Sequence, residues 1–345
     1  MTNSKKALMI GGGISNCSLA RMLLDDGWYV EIREKRDRLG GMLADEYDEE
    51  SGCYVPWYGP HIIHFDEKNS EALGFLKSHV KIVPVSHQIL CIGNGNFTYW
   101  PINPVYKELF EFLNPRKSMK EEFIDSYSRK IWGHEFNDII KNINERVRIK
   151  EARDKDAFSG EEQFQPENGY TNMLNDLTRG CKVIFNREEN LDSVLREYFQ
   201  WDLVIVSSNI DQFFGFRFGK LDFKGLDFIF KKIKNNGTDI LPTPVVNLNT
   251  HSKVVRVGEI NQLQANKNTS STRILCFDMP GEQNRFYPVN NESNLSLLKK
   301  YTDLTRDYEK IKFHGRTANY KYLDIDECIQ NSIRLFREVK SIRSY

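Results

Sequence analysis

A glycine cluster near the start of the chain constrains its fold more than any other feature. Three glycines at 11–13 separate an apolar run at 7–10 from a helical pattern at 18–24, and a second strand pattern follows at 29–32. Glycine permits the tight turn between strand and helix, and it lets backbone amides approach a pyrophosphate at the helix N-terminus. The order of these elements predicts a β-α-β unit of the Rossmann type.

Two further features favour FAD as the dinucleotide. The third glycine position of the GxGxxG motif is Asn16, so the turn alone is a weak signal, but Glu34 ends the second strand where a carboxylate is expected to bind the adenosine ribose. A second diglycine follows, at a distance typical of flavoproteins rather than of NAD dehydrogenases. The alternative is a Rossmann-like domain that has lost its ligand. The predicted cofactor residues in these segments are Gly11, Gly13, Ile14, Ser15, Glu34, Lys35, Arg36, Gly40, Gly41 and Met42.

Composition narrows the classes of partner. Lys+Arg and Asp+Glu both number 48 in the 345 residues, so no net field attracts the chain to nucleic acid or to an anionic membrane. The six cysteines are dispersed without a CxxC pair, which indicates reduced thiols and no metal site. No apolar run approaches the roughly 20 residues of a membrane span, and no signal peptide is evident. We therefore expect a cytoplasmic protein.

Eight further segments carry a second set of motifs in order along the chain. The first reads Tyr-Gly-Pro-His-Ile-Ile-His, and another reads Arg-Phe-Tyr-Pro-Val-Asn. The eight segments are 58–64, 100–103, 126–133, 168–171, 210–219, 271–274, 285–290 and 315–324. Together they resemble the motifs of the UDP-galactopyranose mutase family, and the likeness extends over about residues 7–335.

This resemblance implies an isomerase, an intramolecular transferase, that interconverts the pyranose and furanose forms of a nucleotide-diphosphate sugar. The substrate would be UDP-galactose or a related sugar nucleotide. The reaction would proceed through a covalent adduct between reduced flavin and sugar, without net redox change. FAD would be active when reduced, so a reductant is an expected partner. Gly59 and His61 match the segment that runs beside the flavin ring in that family.

The resemblance also implies arginines that neutralise the departing diphosphate, since the guanidinium fork binds phosphate bidentately. Arg273 matches one family arginine, in the segment Ser-Thr-Arg-Ile. The second belongs to a mobile loop and corresponds to Arg146, with Arg148 as the alternate. With His61, these arginines are the predicted catalytic residues.

The remaining predicted site residues surround the sugar nucleotide. Phe123, Tyr127 and Trp132 share one helical sector, where they could stack on the base, although core packing is the other explanation. Tyr320 and Tyr322 alternate as on a strand, so only one of them is expected to face the site. The predicted substrate residues are Asn103, Phe123, Tyr127, Trp132, Tyr287, Tyr322 and Asp324, and Arg316 and Asp324 are predicted to contact the flavin.

The predicted architecture is α/β, with three parts and a loop. The Rossmann-like FAD-binding domain comprises 1–72, 169–209 and 300–345; a small, reduced helical domain comprises 104–150; a mostly antiparallel sheet domain comprises 73–103 and 210–299; and 149–168 form a mobile loop. The helical domain is shorter than in bacterial family members, so the geometry of a homo-oligomer cannot be carried over.

Departures from the family motifs leave the sugar and the base open. They include Ser207-Ser208-Asn209, Cys276-Phe277-Asp278 and Ala157. Two other hypotheses remain. One is an FAD-dependent oxidoreductase of the amine-oxidase-like group, which shares the glycine motifs. The other is a non-catalytic flavoprotein that binds sugar nucleotides.

Overall fold

The computed structural model describes residues 4–93, 95–133, 151–153, 155–158, 160–266 and 268–341. Their strands are β1 Lys6–Ile10, β2 Tyr29–Arg33, β3 Asp45–Asp48, β4 Cys53–Pro56, β5 Ile63–Phe65, β6 Ile82–Pro84, β7 Ile89–Ile92, β8 Phe97–Trp100, β9 Glu162–Pro166, β10 Lys182–Ile184, β11 Leu203–Val206, β12 Phe223–Lys234, β13 Val245–Leu248, β14 Arg256–Glu259, β15 Thr272–Gly281, β16 Tyr287–Pro288 and β17 Ile311–Phe313. Their α-helices are α1 Ile14–Asp25, α2 Ser70–His79, α3 Pro104–Leu113, α4 Ser126–Trp132, α5 Tyr170–Leu177, α6 Leu191–Leu195, α7 Ile210–Phe213, α8 Glu292–Leu304 and α9 Ile325–Ser341.

A five-stranded parallel sheet forms the base of the molecule, in the order β10-β2-β1-β11-β17. Strand β1 is apolar on both faces. Ala7 and Met9 join one buried cluster with α1, α2, α5 and α9, while Leu8 and Ile10 join a second cluster with α7 and α8. A strand buried on both faces is typical of doubly wound parallel sheets. The predicted Rossmann-type domain is confirmed.

A seven-stranded sheet stands opposite, in the order β16-β12-β15-β14-β13-β7-β8. Its neighbours pair antiparallel except β13 and β7, which are parallel. The longest pairing joins β12 to β15 from Gly225 opposite Gly281 to Lys234 opposite Thr272. The expected mostly antiparallel sheet is therefore present.

The structure corrects two boundaries of the predicted parts. Within the predicted loop 149–168, Glu162–Pro166 is the central strand of a three-stranded sheet, β5-β9-β6. Its sequence, Glu-Gln-Phe-Gln-Pro, hides the strand because the buried positions include two glutamines. The predicted boundary at 72/73 divides helix α2, but the part assigned to the antiparallel domain packs through Leu73 and Leu76 on the core of the parallel sheet.

The helical region is small. Helix α3 and the turn before α4 enclose a cluster that contains Phe110, Met119 and Phe123. Residues 134–150 lie outside the described residues. Among the helices that the structure describes, none is long and apolar enough to cross a membrane.

Candidate functional site

A cavity of about 480 Å³ opens between the carboxyl ends of the parallel strands and the seven-stranded sheet. Ligands of open α/β sheets bind at this edge, and the volume is within the usual range for small-molecule sites. The cavity is lined by nearly all the predicted cofactor residues: Gly11, Gly13, Ile14, Ser15, Glu34, Lys35, Arg36, Gly40, Gly41, Met42, His61, Arg316 and Asp324. Gly59 is not among its lining residues, although Tyr58 and Pro60 on either side are.

The glycine turn is shaped to receive an anion. Gly11 has a φ of 93°, and a Cβ there would lie 2.5 Å from Ser207 Oγ. Gly13 caps α1 without a side-chain hydrogen bond, and a Cβ at Gly13 would meet nothing within 4 Å. The turn therefore presents backbone at the positive end of a helix dipole to open cavity, which suits a pyrophosphate.

Asn16, the departure from GxGxxG, supports this turn. Its side chain is fully buried, and Nδ2 donates to the carbonyls of Ile10 at 3.1 Å and Gly11 at 2.9 Å. Because the Asn16 side chain points back into the turn, it does not block the side of the turn that faces the cavity. The substitution is thus compatible with dinucleotide binding.

The second diglycine packs directly on the first. The Gly40 amide donates to the Gly12 carbonyl at 2.9 Å, and a Cβ on Gly41 would lie 3.2 Å from the Gly13 Cα. Glu34 closes the arrangement, because its carboxylate accepts from the amides of Gly12 at 2.7 Å and Arg36 at 2.9 Å. The two glycine motifs and the acidic residue, separate in sequence, form one wall.

His61 lies on the cavity wall in a fixed turn. Gly59 has a φ of 76°, and a Cβ there would lie 2.6 Å from the Phe228 ring. Burial, reinforced by the charges of Arg256 and Arg316, lowers the pKa of His61 to about 4. The imidazole is therefore neutral at pH 7, and in the cavity wall it is a hydrogen-bonding group rather than a cation.

His64, three residues further, is held by the segment before β9. Its Nδ1 lies 2.6 Å from Glu161 Oε2, and the Phe158 ring stacks on the imidazole at 4.1 Å. Burial would lower the pKa of His64, but the hydrogen bond to Glu161 and the charges of Asp324 and Asp326 outweigh it and raise that pKa. These contacts join Phe158 and Glu161 to the cavity wall.

The far wall of the cavity is aromatic and basic. Tyr287 and Tyr322 stack with ring centroids 6.0 Å apart, and the Arg316 guanidinium lies 4.0 Å from the Tyr322 ring. Arg316 Nη2 also donates to the Phe286 carbonyl at 2.8 Å. Tyr320 is buried, and its hydroxyl accepts from the Val289 amide, so Tyr322 is the one of the alternating pair that faces the cavity.

Arg273 does not lie at the cavity, unlike most of the other residues that the sequence predicted for the site. It lies on β15 with 0% exposure and outside the cavity lining. Its Nε donates to Glu259 at 2.7 Å, and Nη2 pairs with Asp239. In this structure the Arg273 guanidinium is occupied by the buried Glu259 and the exposed Asp239, and it lies away from the cavity to which its predicted catalytic role would bring it.

Arg256, unlike Arg273, lines the cavity. It lies on β14, and its Nε donates to the buried carboxylate of Asp278 at 2.7 Å. Sequence reasoning missed it. The available signal was a single arginine interrupting the apolar strand pattern at 254–257.

Two other predicted substrate residues have structural roles. Asn103 is the N-cap of α3, where its side chain accepts from the Val105 amide at 3.0 Å. Phe123 is buried against Phe110, which is the core packing given as the alternative to stacking on a base. Both are absent from the cavity lining.

Three further predictions have different outcomes. Trp132 contacts Tyr287, with ring centroids 5.6 Å apart, and so lies next to the cavity. For Tyr127 only the backbone, on α4, is described. Arg146 and Arg148 lie outside the described residues.

The cavity has polar lining that the motifs did not indicate. Arg187, Glu188 and Glu189 follow β10, and Ser208 and Asn209 follow β11. Ser208 Oγ and Asn209 Oδ1 are buried without a hydrogen-bond partner in the described part of the chain. Ser208 and Asn209 belong to a segment that departs from the family motifs, whereas no local pattern identifies Arg187, Glu188 and Glu189. All five follow parallel strands, at the edge where ligands bind.

Comparisons with known proteins agree with this geometry. A family model described as UDP-galactopyranose mutase matches residues 122–322, more than half of the chain, and one described as an NAD(P)-binding Rossmann-like domain matches residues 9–78. The dTDP-fucopyranose mutase of Escherichia coli is 26% identical over 95% of this chain and 96% of its own length. The UDP-galactopyranose mutase of Mycoplasma genitalium is 28% identical over 98% and 96%.

The fold is also similar to those of solved structures. A reduced UDP-galactopyranose mutase has a TM-score of 0.71 and 13% identity, over 99% of this chain and 97% of that one. A structure titled putative protoporphyrinogen oxidase from Exiguobacterium has a TM-score of 0.64 and 10% identity, over 98% and 99%.

Proposed function

The chain belongs to the UDP-galactopyranose mutase family of FAD-dependent isomerases, and from that premise we propose that it interconverts the pyranose and furanose forms of a nucleotide-diphosphate sugar. The proposed substrate is UDP-galactose or a related sugar nucleotide. The observation that carries the proposal is the cavity itself, in which Arg256, Tyr287 and Tyr322 stand across from the glycine turn. A diphosphate sugar between these walls would meet both the cofactor and a cation.

The residues present fit FAD. The glycine turn offers backbone amides at a helix N-terminus, and a side chain at Gly13 would project into the cavity. Ser208 and Asn209 provide buried polar atoms without protein partners among the described residues. Bound and reduced, FAD would supply the nucleophile for substitution at the anomeric carbon.

The side chains then have separable tasks. Arg256 balances charge on the departing diphosphate, and Asp278 holds its guanidinium in place through Nε. The hydroxyls of Tyr287 and Tyr322 donate hydrogen bonds to phosphate or sugar oxygens. His61, neutral at pH 7, contributes a hydrogen bond beside the flavin without adding positive charge.

The names of the relatives support two candidate sugars. One relative is a dTDP-fucopyranose mutase and another is a UDP-galactopyranose mutase, at similar identity to this chain. These substrates differ in the base, in the 2′-hydroxyl of the nucleoside ribose and in the 6-hydroxyl of the transferred sugar. Both candidates must therefore be assayed.

The test is anaerobic incubation of the dithionite-reduced protein with UDP-galactopyranose and, separately, dTDP-fucopyranose, followed by chromatographic separation of furanose products. UDP-glucose is a matched control for binding without a galactose configuration. We expect a furanose product from one of the first two. If neither substrate is converted while reduced FAD stays bound, the mutase proposal is wrong.

A further inference from the structure

A network of buried ion pairs lies beside Glu34, the residue expected to bind the adenosine ribose. Its centre is Arg33 at the end of β2, which is 4% exposed and lines the cavity. The guanidinium donates through Nε to Glu31 at 2.7 Å, through Nη1 to Glu189 at 2.9 Å and through Nη2 to Glu197 at 2.6 Å. The cations and carboxylates of the network are Arg33, Lys182, Arg187, Glu31, Glu189 and Glu197. Each of the three guanidinium nitrogens of Arg33 thus has a carboxylate partner.

Stability alone does not account for this network. Val30 and Ile32 of β2 face the apolar core around α1, so the alternate positions Glu31 and Arg33 lie on the other face of the sheet. Charged groups are costly to transfer from water to the protein interior, and apolar residues in place of a buried network often leave a fold equally stable. The position of the network beside a ligand cavity therefore points to a role in binding.

One member of the network, Glu189, belongs to the loop 185–190 between β10 and α6. Its Oε1 accepts from Arg33 Nη1 at 2.9 Å and from Arg187 Nε at 2.6 Å. Burial would raise the pKa of Glu189, but its hydrogen bonds, with Ser193 first and then with the two arginines, outweigh burial and lower that pKa. The Glu189 carboxylate is therefore ionised at pH 7, and it fastens the loop to Arg33.

The backbone of this loop is fixed as well. The Asn186 amide donates to the Arg36 carbonyl at 3.0 Å, and the Arg187 amide donates to the Glu34 carbonyl at the same distance. In return, the Glu34 amide donates to the Ile184 carbonyl at 2.9 Å. The loop thus extends the pairing of β2 with β10 beyond the sheet and has one position relative to Glu34.

Glu188 connects the loop to the other side of the glycine turn. Its Oε1 accepts from Gln212 Nε2 at 2.6 Å, and both residues line the cavity. Gln212 is on α7, which follows β11, whereas the loop follows β10, and β2 and β1 lie between those two strands in the sheet. The pair therefore spans the carboxyl ends of the strands that precede Glu34 and the glycine turn. A dinucleotide bound at the turn and at Glu34 would lie next to this pair.

We propose that the loop 185–190 and Gln212 form a pre-organised wall for the adenosine half of FAD, and that Arg33 is the positioning residue of this wall. Carboxylates and a side-chain amide can form hydrogen bonds with the ribose hydroxyls and with the amino group of adenine. Because the wall is ordered before the ligand arrives, binding does not cost the free energy of ordering it. The inference rests on the FAD binding of the proposed function and not on the identity of the sugar nucleotide.

The test is a fluorescence titration of the flavin-free protein with FAD and, separately, with FMN, which lacks the adenosine half. We expect Arg33→Met to raise the Kd for FAD by about tenfold, comparable to the loss of one hydrogen bond to a charged group, and to leave the Kd for FMN unchanged. Arg273→Met is the matched control, because this guanidinium is equally buried and bound to two carboxylates but lies outside the cavity lining. It should lower stability and leave both dissociation constants unchanged.

An equal rise of both constants in Arg33→Met would show that Arg33 supports the whole cavity, and it would overturn the proposal, as would an unchanged Kd for FAD. If Arg33→Met does not fold, Glu188→Ala at an exposed position replaces it. We expect this variant to raise the Kd for FAD by about threefold, the loss of a weaker, exposed hydrogen bond, without a change for FMN. A Kd for FAD equal to that of the parent would then overturn the proposal. The titration contains no sugar nucleotide, so its outcome is separate from that of the mutase assay.

Discussion

Two arginines on neighbouring strands show how environment determines a residue's role. Arg256 on β14 pairs with the buried carboxylate of Asp278 and lines the cavity, whereas Arg273 on β15 is buried outside the cavity lining and pairs with Glu259 and Asp239. A guanidinium that is already saturated stabilises the fold, and one at a cavity wall can bind a ligand anion. We therefore expect replacement of Arg256 to reduce activity and replacement of Arg273 to reduce stability.

Arg256→Lys should reduce kcat/KM for the sugar nucleotide by about 100-fold, the usual cost of losing one positioned donor to a developing charge. Lysine keeps the charge but loses the planar fork that lets one residue bind Asp278 and a phosphate together. Steady-state kinetics of the reduced enzyme would measure this. Arg334→Lys, at an exposed position on α9, is the matched control. Equal losses of kcat/KM in the two variants would show that Arg256 does not act at the site.

Arg273→Ala should lower the free energy of unfolding by about 3 kcal/mol, because Glu259, fully buried, would lose its charged partner. Urea unfolding measures the change. The protein that remains folded should retain its kcat. A stable Arg273→Ala variant without activity would restore the catalytic prediction for this residue.

His64 should make stability depend on pH. Its pKa is raised in the folded protein, chiefly because the Glu161 hydrogen bond and nearby carboxylates outweigh the effect of burial. The stabilisation is fully present below the ordinary histidine pKa of about 6.5, and it is lost as the pH rises through the higher pKa of the folded state.

The difference in unfolding free energy between the parent and His64→Gln should therefore be larger at pH 5.5 than at pH 8.5, by on the order of 1 kcal/mol. Urea titrations at the two pH values measure it. His251→Gln, at an exposed position, controls for general effects of losing a histidine. A difference that grows with pH would contradict the assigned ion pair.

At the scale of elements, single carboxylates connect strands to helices. Asp45, at the start of β3, accepts from the Tyr170 and Thr171 amides at 2.6 and 2.8 Å, and so satisfies two amides at the N-terminus of α5. The helix has no cap from its own residue Gly169. A residue more than a hundred positions away thus performs the capping role.

Asp45→Ala should destabilise the protein by about 2 kcal/mol, since two buried amides lose their acceptor. Thermal and urea unfolding would measure the loss. Asp176→Ala, near the other end of the same helix and partly exposed, should change stability by less than about 0.5 kcal/mol. Equal losses of stability in Asp45→Ala and Asp176→Ala would mean that the hydrogen bonds from α5 to Asp45 have no special role.

The sequence predicted elements where local chemistry determines them. Strands β1, β2 and β11 are apolar runs, and the glycine turn predicted the cofactor wall that the structure assembles. Strand β9 was missed because Gln163 and Gln165 make its buried face polar. Arg273 was predicted because it stands in the segment Ser-Thr-Arg-Ile of the family resemblance. Its burial away from the cavity depends on Glu259 and Asp239, which only tertiary structure brings near.

At the scale of the whole molecule, the site exists because two sheets face each other. The parallel sheet contributes the glycine motifs and Glu34, and the seven-stranded sheet and the segments beside it contribute Arg256 and Tyr287. Neither sheet alone contains a site for both a dinucleotide and a diphosphate sugar. The isomerase assignment therefore requires that the reaction take place between the two sheets and that the flavin have the same redox state before and after it.

The most direct measurement follows isomerisation and flavin absorbance together, under anaerobic conditions, starting from oxidised or dithionite-reduced FAD. The account predicts furanose formation only from the reduced protein, over many turnovers, with the flavin spectrum still reduced at the end. Conversion by the oxidised protein, with one flavin reduced for each sugar oxidised, would contradict the account and indicate an oxidoreductase.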